Sequence, residues 1–191
     1  HSTPPPPGTP TPQEGRSPAW NLPPVPEIRL DLFGGLRATV DGRPAPRFRT
    51  QRSRSLAAYL VAHHERRHSR EALAELLWPD ADPVRQRDRL RYELTQLRAV
   101  LGPEFLRAED RQSVSLAPDV RSDLLDFHHA HLAAVRAVDP ERRVATLAEA
   151  ARIAHEDFLP ELYDDWVLAR REQLRDACWD VLGRLVLDLE E

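Results

Sequence analysis

The stretch from Leu77 to Pro103 constrains the fold more than any other part of the chain, because it carries the signals for both ends of one helix. Asp82 suits an N-cap, where its carboxylate accepts from the free amides of the first turn, and Pro83 suits the first helical position, where no amide donor is needed. At the other end Gly102 suits a left-handed C′ residue, and Pro103 blocks continuation. Between these signals Leu90, Leu94, Leu97 and Leu101 form one apolar stripe at helical spacing. Arg85, Asp88, Arg89, Tyr92, Thr95 and Gln96 fall on the opposite side. With the turn Leu77-Trp78-Pro79-Asp80 before it, the segment reads as the second half of a helix-turn-helix whose polar face suits a DNA major groove. The same pattern also fits an ordinary amphipathic helix with a solvated charged face.

Composition narrows the class. The chain has 191 residues, 41 % hydrophobic and 30 % charged, with no apolar run near the ~18–20 residues that span a bilayer. Its single cysteine, Cys178, excludes an internal disulfide and any cysteine-rich metal site, and is compatible with a reducing cytoplasm, the expected location. All 27 basic residues are Arg, and a GC-rich genome that favours Arg over Lys codons accounts for this better than nucleic-acid affinity does. With no Met, His1 is not a translational start, and a piece of a longer protein is expected. The net charge of −4 argues against a DNA binder, but its distribution argues for one. Residues 43–111 hold 15 Arg against 10 acidic residues, whereas residues 112–191 hold 9 Arg against 17. A basic half joined to an acidic one suits a DNA-reading part with a protein-contacting partner.

Along the chain, residues 1–26 contain ten of the 18 prolines and read as an extended linker. Ile28, Leu30 and Leu32 alternate, as do Leu36, Ala38 and Val40 after Gly34-Gly35. Asp41-Gly42 is a hairpin turn signal, and Phe48 is assigned to a third short strand. A helix is expected over 51–63, then a short one capped by Ser69 and ending at Leu77, with Leu73, Leu76 and Leu77 inward. After the 83–101 helix, Phe105–Ala108 and Ser113–Leu116 flank a turn and read as a β-hairpin. Helices near 123–137, 141–155 and 165–189 follow, separated by Asp139-Pro140 and Pro160. The last presents Leu174, Cys178, Val181 or Leu182, Leu185 and Leu189 on one face.

Several blocks in this order resemble a known family. Arg52-Ser53-Arg54-Ser55-Leu56-Ala57-Ala58-Tyr59-Leu60, Ser69 through Glu75, Leu77-Trp78-Pro79-Asp80 and Leu94-Thr95-Gln96-Leu97-Arg98 look like an OmpR-type winged helix. More narrowly, they resemble the antibiotic regulatory protein family of actinobacteria. There the winged helix is followed by a bacterial transcriptional activator domain of tetratricopeptide-like helices, whose opening Asp123-Leu124-Leu125-Asp126-Phe127 resembles. Asp157-Phe158-Leu159-Pro160, Asp164-Asp165-Trp166-Val167 and Arg171-Glu172-Gln173-Leu174 resemble its middle. The chain ends at Glu191, where that domain normally continues. The resemblance implies an α+β fold: a winged helix-turn-helix with an N-terminal β-sheet over 27–118, then an all-α tetratricopeptide-like region over 123–191.

The function this implies is transcriptional regulation through duplex DNA. Arg85, Arg89, Tyr92, Thr95 and Gln96 are expected at base edges or adjacent phosphates, and Arg91 at a flanking phosphate. Arg111 at the hairpin tip suits a minor groove or a solvated turn, and Arg52 and Arg54 are further phosphate candidates. The helical region is expected to meet protein, whether RNA polymerase, another protein or a second copy of the chain. Asp88 among the outward arginines leaves open a non-DNA-binding regulatory or scaffold module with the same fold. No enzyme motif appears: there is no phosphate loop and no Gly-x-Ser-x-Gly. His64 and His68, and His128, His129 and His131, do not offer the convergent ligands zinc requires and are expected at the surface. No catalytic residue, metal or cofactor is assigned. Glu156, Asp157, Glu161, Asp164 and Asp165 are expected as solvated caps, and Trp166 and Trp179 as packing within the helical region.

Overall fold

The structure is a computed structural model that describes residues 25–108 and 110–189. The expected linker lies outside the described residues as far as Pro24, and so does Glu109 of the hairpin turn.

The alternating N-terminal pattern forms an antiparallel sheet of β1 (Ile28–Asp31), β2 (Arg37–Val40) and β3 (Arg43–Pro44), in that spatial order. Ile28 pairs with Val40 and Asp31 with Arg37. Asp41 and Gly42 both take positive φ, 51° and 71°, the geometry that suits a two-residue hairpin to strand twist. β3 follows the turn at once, so Phe48 lies outside the sheet and packs instead against the core from the loop. The Asp-Gly turn sets the pairing register, which leaves no room for the later strand expected from Phe48.

The helix-turn-helix follows as α1 (Gln51–Ala62), β4 (His68–Ser69), α2 (Arg70–Leu77) and α3 (Pro83–Leu101). Ser69 and Asp82 cap α2 and α3 through their side chains, as their positions predict. Leu76 is 38 % exposed, and Ala74 takes the inward position beside Leu73 and Leu77. Gly102 has φ 91° and ψ 157°, positive in φ but extended, so the chain leaves α3 directly rather than through a left-handed C′ residue. A 3-10 turn at Pro103–Phe105 leads into β5 (Leu106–Arg107), which pairs with β6 (Ser113–Leu116) as the wing, and β4 completes that sheet on the far side of β6.

Three helices follow: α4 (Asp123–Arg136), α5 (Pro140–Ile153) and α6 (Asp165–Leu189). They join the first half through one contiguous core that runs from Ile28 to Val181. The free edge of β1 is covered by the helical region: Leu30 N–H donates to Arg121 C=O at 2.9 Å, and Leu159 N–H to Leu32 C=O at 2.9 Å. The junction centres on Asp123, only 8 % exposed. Its carboxylate accepts from the amides of Leu32 (2.8 Å), Phe33 (2.9 Å) and Leu124 (2.7 Å). Phe33, Phe127 and Phe158 stack edge to face beneath it, one from each side of the junction and one from the α5–α6 loop. In that loop Leu159 is buried at φ 44°, a left-handed conformation costly for leucine. Arg171 holds it there by donating to the carbonyls of Phe158, Leu159 and Leu162 at 2.8–3.1 Å.

Two residues expected to pack within the helical region do otherwise. Trp166 stands edge-on to Tyr59 of α1, at 5.2 Å between centroids, and its indole N–H donates to Ser55 Oγ at 3.3 Å. Trp179 is 66 % exposed, as is Leu189, which therefore leaves the inward face of α6. Nor are all the histidines superficial. His63, His68 and His128 are partly or wholly enclosed near the same junction, and each sits below its ordinary pKa, mainly because burial penalises the charged ring. α1 ends at Ala62, so His64 and His68 do not share a helix.

Two predictions follow from the junction. Asp123→Ala leaves the Leu32 and Phe33 amides without their buried acceptor, and lowers unfolding free energy by about 3 kcal/mol in a denaturant titration. The pH dependence comes from His128. Burial, then the neighbouring Arg170, lower its pKa from 6.5 to about 4, and its Nε2 accepts from Arg170 at 3.1 Å. The folded state thus binds fewer protons than the unfolded one between those values, and stability falls as pH drops through that window. His128→Gln flattens this stretch of a thermal midpoint against pH curve. An unchanged slope would show that His128 is not the group responsible.

Candidate nucleic-acid interface

α3 is held from behind by groups the sequence does not advertise. Gln86 is buried and its Nε2 donates to Trp78 C=O at 2.7 Å, which closes the α2–α3 turn. Glu93 is 5 % exposed and reaches across to the start of α1. Its carboxylate accepts from Thr50 Oγ1 at 3.0 Å and, by a shorter bond, from Ser53 Oγ. Thr50 in turn caps α1 by accepting from Ser53 N–H at 2.9 Å. α3 is therefore joined to the first turn of α1 as well as seated on the leucine core.

The outward arc of α3 carries Arg85, Arg87, Asp88, Arg89, Arg91, Tyr92 and Thr95, all exposed, with Gln96 half-buried at its edge. The expected outward set is thus brought to one surface, but its two flanks differ. On one side the wing and α2 meet α3 around a cleft of about 690 Å³, lined by Arg70, Arg87, Arg91 and Arg111 together with Glu71 and Asp88. Arg70 N–H donates to Gln112 C=O at 2.8 Å, which ties α2 to the hairpin tip. The Nε of Arg70 is buried without a hydrogen-bond acceptor. Asp110 organises the tip by accepting from Gln112 N–H at 2.8 Å and from both N–H and Oγ–H of Ser113 at 2.6 and 2.8 Å. These bonds, led by the Ser113 hydroxyl, hold its carboxyl below the usual range, and Arg111 projects from the turn they fix.

The other flank has a shallower depression of about 360 Å³ lined by Arg52, Arg85 and Arg89, with Trp78, Asp80 and Asp82. Asp82 caps α3 with Oδ1, 3.1 Å from the amides of Val84 and Arg85, and its Oδ2 lies 3.2 Å from Arg85 Nε. The Arg85 amide, foremost, and then that of Val84 lower the pKa of this exposed cap.

Arg52 and Arg54, expected at phosphates, are each paired with a carboxylate that precedes α6. Arg52 pairs with Asp164 at 3.3 Å, and Arg54 makes a short ion pair with Glu161 at 2.5 Å. Glu161 also accepts from Leu36 N–H at 2.8 Å. Burial acts to raise the Glu161 pKa, but the Leu36 amide and the Arg54 guanidinium outweigh it. Glu161 and Asp164 are thus interface ligands rather than solvated caps. Sequence reasoning could not find these pairs because the partners are separated by about a hundred residues. It also passed over Arg70 and Arg87. The step of Arg87 along the helix places it nearer the leucine stripe, and only the wing makes that flank part of a basic surface.

Among the described residues, no group of three or more His, Cys, Asp or Glu is arranged to hold a metal ion. No described helix is long and apolar enough to cross a membrane.

No protein-family model matches the chain, and no curated protein matches it by sequence. A solved structure of Mycobacterium tuberculosis EmbR in complex with a low-affinity phosphopeptide is similar in fold, with a TM-score of 0.74 at 24 % identity. The match covers 86 % of this chain and 46 % of that one, so the chain spans about half the length of the protein it matches. At this identity the likeness establishes the fold: α+β, a winged helix behind a small N-terminal sheet, followed by helices.

Proposed function

We propose that the chain is a transcriptional regulator of the antibiotic regulatory protein type, which lays α3 in the major groove of duplex DNA and the β5–β6 wing against the adjacent backbone. The observation that carries this reading is the exposed polar arc of α3 beside a cleft lined by four arginines from α2, α3 and the wing. A phosphate strand alongside the wing would meet Arg70, Arg87, Arg91 and Arg111. Tyr92, Thr95 and Gln96 are the candidates for base edges, with Arg85 and Arg89 on the far flank. The buried attachments of Gln86 and Glu93 supply the rigid mounting that groove reading needs.

In this reading the helical region meets protein, RNA polymerase or another partner. Its acidic balance and its exposed Leu132, Val135, Val138 and Trp179 support that role. The chain is then a non-enzymatic bacterial activator of the cytoplasm. A second reading, a protein-only module, draws on Asp88, which stands exposed on the outer arc where it would face DNA.

Salt dependence separates the two. With about three to five phosphate contacts, log affinity for duplex DNA falls against log salt with a slope of about −3 to −4.5. Arg91→Ala with Arg111→Ala, both exposed, makes that slope shallower by about 1.8 and leaves the thermal midpoint unchanged. Absence of salt-dependent affinity for any duplex, direct repeats included, would sink the DNA reading and leave the protein-only one.

A further inference from the structure

Arg52 and Arg54 lie two residues apart in α1 and both pair with carboxylates just ahead of α6, yet the two bonds differ in kind. Arg54 and Glu161 are each about two-thirds enclosed, at 33 % and 28 % side-chain exposure, and Glu161 is further committed to the Leu36 amide. Asp164 is as enclosed as Glu161, at 21 %, but Arg52 is 45 % exposed and holds it through one contact at 3.3 Å. Its guanidinium also lines the depression shared with Arg85 and Arg89, beside the outward arc of α3 and on the opposite flank from the wing. Asp80 and Asp82 share that depression, so it is not strongly basic while Asp164 neutralises Arg52. Asp82 caps α3 with Oδ1 and pairs with Arg85 through Oδ2, both at exposed positions. Asp164 has no such duty in its side chain: its backbone carbonyl accepts from the amides of Val167 and Leu168, and its carboxylate serves Arg52.

We propose that Arg52, Arg85 and Arg89 form a second backbone-phosphate site on this flank of α3, and that Asp164 competes with the DNA phosphate for Arg52. This rests on the DNA reading above. Two anions contend for one cation, so the coupling is reciprocal. Phosphate that takes Arg52 frees the Asp164 carboxylate, and a protein partner that draws Asp164 away frees Arg52 for DNA. The helical region thereby acts on DNA affinity through one exchangeable ion pair, while Arg54–Glu161 and Trp166–Ser55 keep the halves together.

The test uses the full chain and a duplex that the unaltered protein binds. Asp164→Asn keeps the shape of the side chain and should tighten binding about two- to five-fold, the range of a single ion pair open to solvent on its Arg side. It should also steepen the salt slope by about 0.9, one additional phosphate contact. Asp165→Asn, which makes the same change in net charge on the neighbouring exposed residue, should leave the slope unaltered. Adding Arg52→Gln to Asp164→Asn should erase the gain. Equal effects from the two Asp variants, or a gain that survives Arg52→Gln, or no gain at all, would overturn the proposal while the DNA reading stands. If the unaltered chain binds no duplex with salt dependence, the DNA reading fails and this inference fails with it. Matching thermal midpoints exclude misfolding as the source of a difference.

Discussion

The carboxylate of Asp123 is the point on which the rest of the structure hangs. It stands at the start of α4, yet two of its acceptor bonds go to the end of β1 and the residues just beyond, at Leu32 and Phe33. A carboxylate so enclosed tends toward a raised pKa, and burial does outweigh the amide donors here. The cost is accepted because an edge strand must otherwise expose its amides or find partners. Around this contact the connector at Arg121 and the α5–α6 loop complete the edge of β1. The small N-terminal sheet thus serves as the floor on which the helical region stands.

From that floor a chain of named contacts leads to the outward face of α3. Glu161 grips both Leu36, just ahead of β2, and Arg54 of α1. The first turn of α1 then meets Glu93 of α3 through Thr50 and Ser53. Each step is buried or half-buried, so the loop that carries Glu161 is joined to α3 through packed contacts. The same density of contacts explains why the two compositional halves share one core rather than being joined by a free linker.

Much of the local architecture was legible in the residues. Ser69 and Asp82 cap the helices that their positions indicate, and Asp41-Gly42 makes the hairpin that its chemistry demands. These features depend on a few neighbouring residues, and so on information a short stretch of sequence contains. Phe48, Leu76 and Gly102 were misplaced for the converse reason. Phe48 was displaced by a strand register set one turn earlier, Leu76 by Ala74, which takes the inward position of α2 in its place, and Gly102 by the direct exit into the 3-10 turn.

The interface divides in the same way. The leucine stripe of α3 determines, by periodicity alone, that Arg85, Asp88, Arg89, Tyr92 and Thr95 point outward. What periodicity cannot determine is which arginines are available, because a charge is spent or free according to partners brought in by the fold. Tertiary structure adds Arg70 and Arg87 to the basic cleft through the wing, and pairs Arg52 and Arg54 with Asp164 and Glu161. Sequence by itself determined the helix and its outward face, since both follow from spacing along one element. Only the tertiary structure decided where positive charge stands unopposed on that face, since ion pairing acts through space between residues far apart in the chain.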